Sequence, residues 1–145
     1  MKNESTAFGV KASQEKDFEQ FMRTRTRAAD AYVNGDVTLL DAVSTHAGPA
    51  TFFGPNGAFV TGATDVRARY AKDAKHFAPG GQNALEILHS GASGELGYWV
   101  GFQRATAKLE GKKDPVPMTL RVTEIFRRES GEWKLIHRHA EMVTV

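Results

Sequence analysis

The chain has 145 residues, 41% of them hydrophobic and 25% charged, with a formal net charge of +2 and no cysteine. A single domain of this length buries enough surface to hold together without staples. The missing cysteines exclude disulfides, thiolate metal sites and a cysteine nucleophile.

Residues 1–13 are polar and mixed in charge, without the apolar stretch of a signal peptide. No run of the sequence is long and apolar enough to span a membrane. The expectation is a cytoplasmic protein with one domain over residues 1–145, its first 13 residues a flexible or loosely packed arm. Ser13 suits a helix N-cap, and Phe18, Phe21, Met22, Ala28, Ala29, Tyr32 and Val33 then recur at helical spacing. Arg23, Arg25 and Arg27 spread around more than one helix face, which reads as solvated surface and not as a nucleic-acid site. Gly35 suits a left-handed C-cap, and Asp36 opens a short second helix carrying Val37, Leu39, Leu40 and Val43. Thr51–Phe53 and Ala58–Val60 read as short strands around a Pro55-Asn56-Gly57 turn. Thr64 caps a third helix with Val66, Tyr70, Ala74 and Phe77 on one stripe, stopped by Pro79-Gly80-Gly81. Four strands follow over 83–89, 96–109, 118–128 and 133–145, with connections at 90–94, 110–117 and 129–132. The order α-α-β-β-α-β-β-β-β places helices before a long antiparallel meander, an α+β arrangement.

The segments Gly94-Glu95-Leu96-Gly97-Tyr98-Trp99-Val100-Gly101, Leu120-Arg121-Val122-Thr123-Glu124-Ile125-Phe126 and Gly131-Glu132-Trp133-Lys134-Leu135-Ile136-His137-Arg138-His139-Ala140 resemble SnoaL-like proteins of the nuclear-transport-factor-2-like superfamily. Asn34-Gly35-Asp36 and Phe53-Gly54-Pro55-Asn56-Gly57 fall where that superfamily has its helix joint and first hairpin. The resemblance covers nearly the whole chain from Phe18 onward, and the terminal hairpin 118–145 is its most specific part. The hairpin is also similar to the association domain of calcium/calmodulin-dependent kinases. The resemblance implies a cone: a strongly bent antiparallel sheet wrapped round the three helices, with an apolar pocket at its mouth and dimerisation through the sheet. The superfamily includes ketosteroid isomerases, polyketide cyclases, dehydratases and non-catalytic scaffolds, so the fold leaves function open. Carried over by position, the isomerase tyrosine falls near Ala28, its general base near Gly54, and its second acidic group near Thr123 or Glu124. The first two functions are therefore absent, and that machinery is not expected here.

Strand alternation sorts the hairpin into two faces. Leu120, Val122, Glu124 and Phe126 with Ile136, Arg138, Ala140 and Met142 form the more apolar one, matching the superfamily's pocket positions. Arg121, Thr123 and Ile125 with Trp133, Leu135, His137, His139 and Glu141 form the other, and a one-residue bulge would exchange the sets. Tyr98, Val100 and Phe102 oppose Trp99 and Gln103 on the preceding strand. Candidate pocket residues are accordingly Tyr32, Phe53, Tyr70, Tyr98, Val100, Phe102, Val122, Glu124, Ile136 and Arg138. Candidate dimer-face residues are Trp99, Gln103, Arg121, Thr123, His137 and His139. Glu124 and Arg138 read either as a structural ion pair or as a polar ligand anchor with Glu124 a proton acceptor. His137 and His139 read as interface residues, or as acid/base groups if the register slips; zinc would need a third ligand, for which Glu141 diverges and His46 and His89 have no assigned place. Neither a metal nor a cofactor is expected. Two functions remain: a hydrophobic-small-molecule-binding domain, including a cofactor-independent isomerase, cyclase or dehydratase with Glu124, His137 and His139 as catalytic candidates, or a non-catalytic dimerisation scaffold. A homodimer through the outer sheet face is expected, with no nucleic-acid or membrane partner.

Overall fold

The computed structural model describes the backbone of residues 2–143 and the side chains of residues 16–143. Helix α1 (Lys2–Tyr32) buries Phe18, Met22, Ala28 and Ala29, the apolar stripe that three- and four-residue spacing builds on a helix, and Val33 is buried just past its end. It begins well before Ser13, which lies inside the helix instead of capping it. It ends where Gly35 takes a φ of 91°. A Cβ there would stand 2.6 Å from the Phe77 carbonyl oxygen, so both the conformation and the space call for glycine. The Asp36 carboxylate then accepts the Thr38 backbone N–H at 2.9 Å, and α2 (Thr38–Val43) follows.

A short hairpin of β1 (Thr51–Phe53) and β2 (Phe59–Thr61) leads into α3 (Ala63–Ala74), which starts behind Gly62 without a side-chain cap, not behind a Thr64 cap. Four long strands complete the chain: β3 (Phe77–Ser93), β4 (Leu96–Leu109), β5 (Val116–Glu129) and β6 (Glu132–Met142). Phe77 opens β3 instead of closing α3, and Pro79 lies within β3. Proline is tolerated there because β3 is an outermost strand, where a missing N–H breaks no ladder.

The six strands form one sheet in the order β2-β1-β6-β5-β4-β3. Neighbours are antiparallel except β1 and β6, which run parallel. The sheet is strongly bent and unclosed, wrapping the helices as a cone, with the element order and α+β class expected from the sequence. Register breaks mark the bends: in β3 between Ala78 and Gln82 and between Ile87 and His89, and in the final hairpin at Ile136. There Phe126 pairs with Leu135 and Ile125 with His137, which leaves Ile136 as the extra residue.

At one end of the cone Phe18 packs edge-on to Trp133 at 5.2 Å and lies 5.8 Å from Phe126, while Phe21 meets Phe126 at 4.9 Å. Such pairs contribute about 0.5–1.5 kcal/mol each beyond their burial. Gly97 faces this cluster, and a Cβ on it would stand 2.6 Å from the Phe18 ring, so the missing side chain lets α1 lie against β4. No helix among the described residues is long and apolar enough to cross a membrane.

Asn34 ties the end of α1 to the β3 bulge. Its Oδ1 accepts from the Gly80 and Gly81 backbone N–H groups at 2.7 and 2.9 Å, and its Nδ2 donates to the Gly81 carbonyl at 3.2 Å. Asn34→Ala is expected to lower the unfolding free energy by about 1–3 kcal/mol, measured as a shift of the urea midpoint at unchanged slope. An unshifted midpoint would show that water replaces these bonds without loss.

Candidate functional site

The interior of the cone contains a polar cluster built from one helix and three strands. Glu124 on β5 has no exposed surface. Arg25 of α1 donates to both its oxygens, Nε to Oε1 at 2.9 Å and Nη2 to Oε2 at 2.8 Å. Trp99 on β4 donates its indole N–H to Oε1 at 2.7 Å, and Arg138 on β6 donates Nη1 to Oε2 at 2.7 Å. The ladder sets this geometry, because Glu124 pairs with Trp99 on one side and with Arg138 on the other. Beyond it, Arg138 Nη2 donates to Gln103 Oε1 at 2.8 Å, and Gln103 Nε2 donates to Asn83 Oδ1 at 2.9 Å.

Electrostatics follow from this arrangement. Burial on its own would raise the Glu124 pKa, but the charges and hydrogen bonds of Arg25 and Arg138 overcome it and hold the carboxyl down at about 2. Glu124 is thus a fixed anion. An acid of this kind is a poor proton acceptor, which removes it from the catalytic candidates. A carboxylic acid kept neutral in an apolar site, the arrangement used to donate a hydrogen bond to an oxyanion, is the reverse of what two guanidiniums produce here.

One wall of this cluster opens into a cleft of about 340 Å³. Its apolar lining includes Ala29, Leu40, Phe52, Phe77, Met118 and Leu120, and its polar lining includes Arg25, Arg138, Gln103, Tyr32 and Tyr70. Arg69 and Asp73 lie along α3 as an ion pair at 3.0 Å, and His76 brings an imidazole from the turn after α3. Burial pushes the Tyr32 hydroxyl up to about 12 and the Tyr70 hydroxyl well above its ordinary range. Both phenols therefore stay protonated and serve as hydrogen-bond donors, not as bases.

The sequence-predicted residues divide between the two sides of the sheet. Tyr32, Tyr70 and Arg138 line the cleft. Val122 and Glu124 face inward but are covered by the cluster. On β4 the structure reverses the predicted faces: Trp99 and Gln103 are buried inside the cone, and Tyr98, Val100 and Phe102 lie on the outer face. The cause is that Gly97 and Gly101 share the inward face with Trp99, where α1 and the β3 bulge crowd the strand. Ile136 is the bulge residue, so it takes no part in the inner face; Trp133 and Leu135 turn inward instead. Phe53 packs outside against His137 and His139, with ring centroids 5.1 and 5.5 Å apart, and its neighbour Phe52 is the one in the cleft.

The bulge leaves His137 and His139 on the outer face beside Arg121 and Thr123. His137 Nδ1 is hydrogen-bonded to the Thr51 hydroxyl at 2.5 Å, and His139 Nε2 to Glu141 at 2.8 Å. Burial and the neighbouring His139 lower the His137 pKa, which favours its neutral form. Neither histidine lines the cleft, so neither serves there as an acid or base. Among the described residues no three His, Asp or Glu side chains converge as a metal site.

Sequence reading missed Arg25, assigned to solvated surface yet only 2% exposed. Its signal was spacing: Phe18, Met22, Arg25, Ala29 and Tyr32 fall four, three, four and three residues apart, along the buried stripe. Asp73 and His76 carried no comparable signal, because their place depends on where α3 ends against the sheet.

The SnoaL-like domain family model matches residues 11–144. The chain belongs to the SnoaL-like family. Solved structures share its fold. A candidate dehydratase of the nuclear-transport-factor-2-like family from Streptomyces avermitilis is 23% identical, with a TM-score of 0.75 over 90% of this chain and 98% of that one. A ketosteroid isomerase-like protein from Erwinia carotovora atroseptica is 13% identical, with a TM-score of 0.69 over 86% and 94%. A candidate calcium/calmodulin-dependent kinase type II association domain from Thiobacillus denitrificans is 16% identical, with a TM-score of 0.61 over 81% and 88%. A search of curated proteins finds no match. Gly54, near which the resemblance led us to expect the isomerase base, lines the cleft without a side chain to offer, and Ala28, near which it led us to expect the tyrosine, is wholly buried.

Glu124→Gln removes the one anion between two buried guanidiniums and is expected to cost about 3–5 kcal/mol of stability. The pH dependence has a definite sign. The folded pKa lies below the ordinary 4.5, so the contribution of Glu124 is complete above about 4.5 and lost as pH falls toward about 2, roughly 3 kcal/mol in all. Urea unfolding of wild type and variant between pH 6 and pH 2.5 should therefore show the two stabilities converging in acid. Parallel curves would contradict an ionised Glu124.

Proposed function

We propose that this SnoaL-like chain binds a small, mainly apolar molecule in the cone cleft, where it carries out a cofactor-independent isomerisation, cyclisation or dehydration. One observation carries the reading: apolar walls and a preorganised polar cluster meet in a single cleft of about 340 Å³, the composition typical of small-molecule sites. The dehydratase and isomerase-like names among structural neighbours support the reaction class as an analogy of fold. With Glu124 fixed as an anion, the group in the cleft lining left to move a proton is the imidazole of His76. Glu124 then acts as a positioning residue through Arg25 and Arg138. A panel of naphthalene, indole and decalin derivatives, neutral and carboxylate-bearing, tests the binding, by titration calorimetry against wild type and Met118→Trp, which narrows the cleft. Wild type should bind at least one member, and the variant should bind it at least tenfold more weakly. Failure of every member to bind wild type, or equal binding to both proteins, would defeat the reading.

We further propose that two copies pair through the outer sheet face. Support comes from the apolar groups left on that face. Leu88 is 58% exposed and shares a shallow groove with Val100, Phe102, Thr123 and His139, an apolar patch of the kind that marks an association surface. Analytical ultracentrifugation at 10–100 µM should give twice the chain mass, and Leu88→Arg should restore the monomer. A wild-type monomer across that range would exclude the pairing.

A further inference from the structure

The buried cluster at the base of the cleft has more donors and more positive charge than its own acceptors satisfy. Glu124 takes Nε and Nη2 of Arg25, and among the described residues no protein acceptor meets Arg25 Nη1. Arg25 is 2% exposed and lines the cleft, so this guanidinium nitrogen is a charged donor withheld from bulk water, a costly condition when nothing accepts from it. The neighbouring acceptors are spent. Gln103 Oε1 is taken by Arg138, and Asp73 is paired with Arg69. The indole of Trp99 has no acceptor to give, and the hydroxyl oxygens of Tyr32 and Tyr70, protonated phenols that can accept as well as donate, do not meet Arg25 Nη1.

The charges are likewise unbalanced. Around the cleft stand the guanidiniums of Arg25, Arg69 and Arg138, against the carboxylates of Asp73 and, behind the wall, Glu124. Three cations against two anions leave one positive charge, and the unmatched donor belongs to Arg25. A guanidinium presents its N–H groups in a fixed planar fork suited to a carboxylate.

Building on the small-molecule reading of this cleft, we infer that its ligand is an anion: a small molecule with an apolar body and a carboxylate, held by Arg25 Nη1 at the inner end while the body lies against Phe52, Phe77 and Met118. The ligand supplies the missing acceptor and the missing negative charge together. A neutral molecule would leave the charge unbalanced, and a cation would meet two buried guanidiniums. Glu124 is what keeps Arg25 in place for this role, because it fixes two of the guanidinium's three nitrogens and so aims the third.

The test is a matched pair, naphthalene-2-carboxylate and naphthalene-2-carboxamide, which share shape and differ in charge. Titration calorimetry at pH 7.5 and low salt should show the carboxylate binding at least tenfold more tightly, and the preference should fall below threefold in Arg25→Gln. Because that variant disturbs the cluster, a second readout uses wild type alone: the Arg25 side-chain N–H resonances should move on adding the carboxylate and stay in place with the carboxamide. Equal affinity for the pair overturns the inference and leaves the cleft as a site for neutral molecules. A carboxylate preference with unmoved Arg25 resonances also overturns it, because the anion then binds elsewhere. If neither compound binds while a neutral member of the earlier panel does, the anionic ligand class is wrong and the cleft reading stands; if nothing binds at all, both fall.

Discussion

Glu124 holds a full negative charge with no exposed surface, and the rest of the molecule is arranged around keeping it charged. Its four hydrogen bonds come from α1, β4 and β6, elements distant in sequence. A lone buried carboxylate would take up a proton or force the site open to water. Here two guanidiniums make ionisation favourable in a place where solvation is lost. The same interaction fixes the first helix across the sheet, since Arg25 reaches Glu124 only when α1 lies along the inner face. The aromatic cluster of Phe18, Phe126 and Trp133 holds the other end of that contact. One polar and one apolar fastening thus set where α1 lies and what room is left beside it.

That room is the cleft, and its character follows from the same constraint. The carboxylate is consumed by the fold, so the acid that looked most like a proton acceptor in the sequence cannot act as one. What the cluster exports to the cleft is positive charge and spare donors. A shared fold does not fix the chemistry of a site, which depends on the side chains present in it.

The bulge at Ile136 decides a second matter. Without it, straight alternation would carry Trp133 and Leu135 to the same side as His137 and His139. The extra residue turns the first part of β6 inward through Trp133 and Leu135, then resumes alternation with Arg138 and Ala140 inward and both histidines outward. The triplet His137-Arg138-His139 therefore serves two surfaces. Its arginine belongs to the interior cluster, and its histidines belong to the outer face with Phe53, Thr51 and Glu141.

By itself the sequence determined the element order, the class, the family and the inward face of β5, because helical spacing, glycine joints and alternation in a two-faced strand are local patterns with local causes. It also determined that Glu124 and Arg138 are neighbours, since they oppose each other across one hairpin. Only the tertiary structure decided the rest. The faces of β4 were illegible because both are apolar there: Tyr98, Val100 and Phe102 outside, Trp99 inside, with Gly97 and Gly101 making room. The bulge was illegible because register is a property of two strands together. The spacing of Arg25 put it on the apolar stripe but could not settle its burial, because a charged residue there is buried only if a partner waits for it, and that partner stands 99 residues further along the chain.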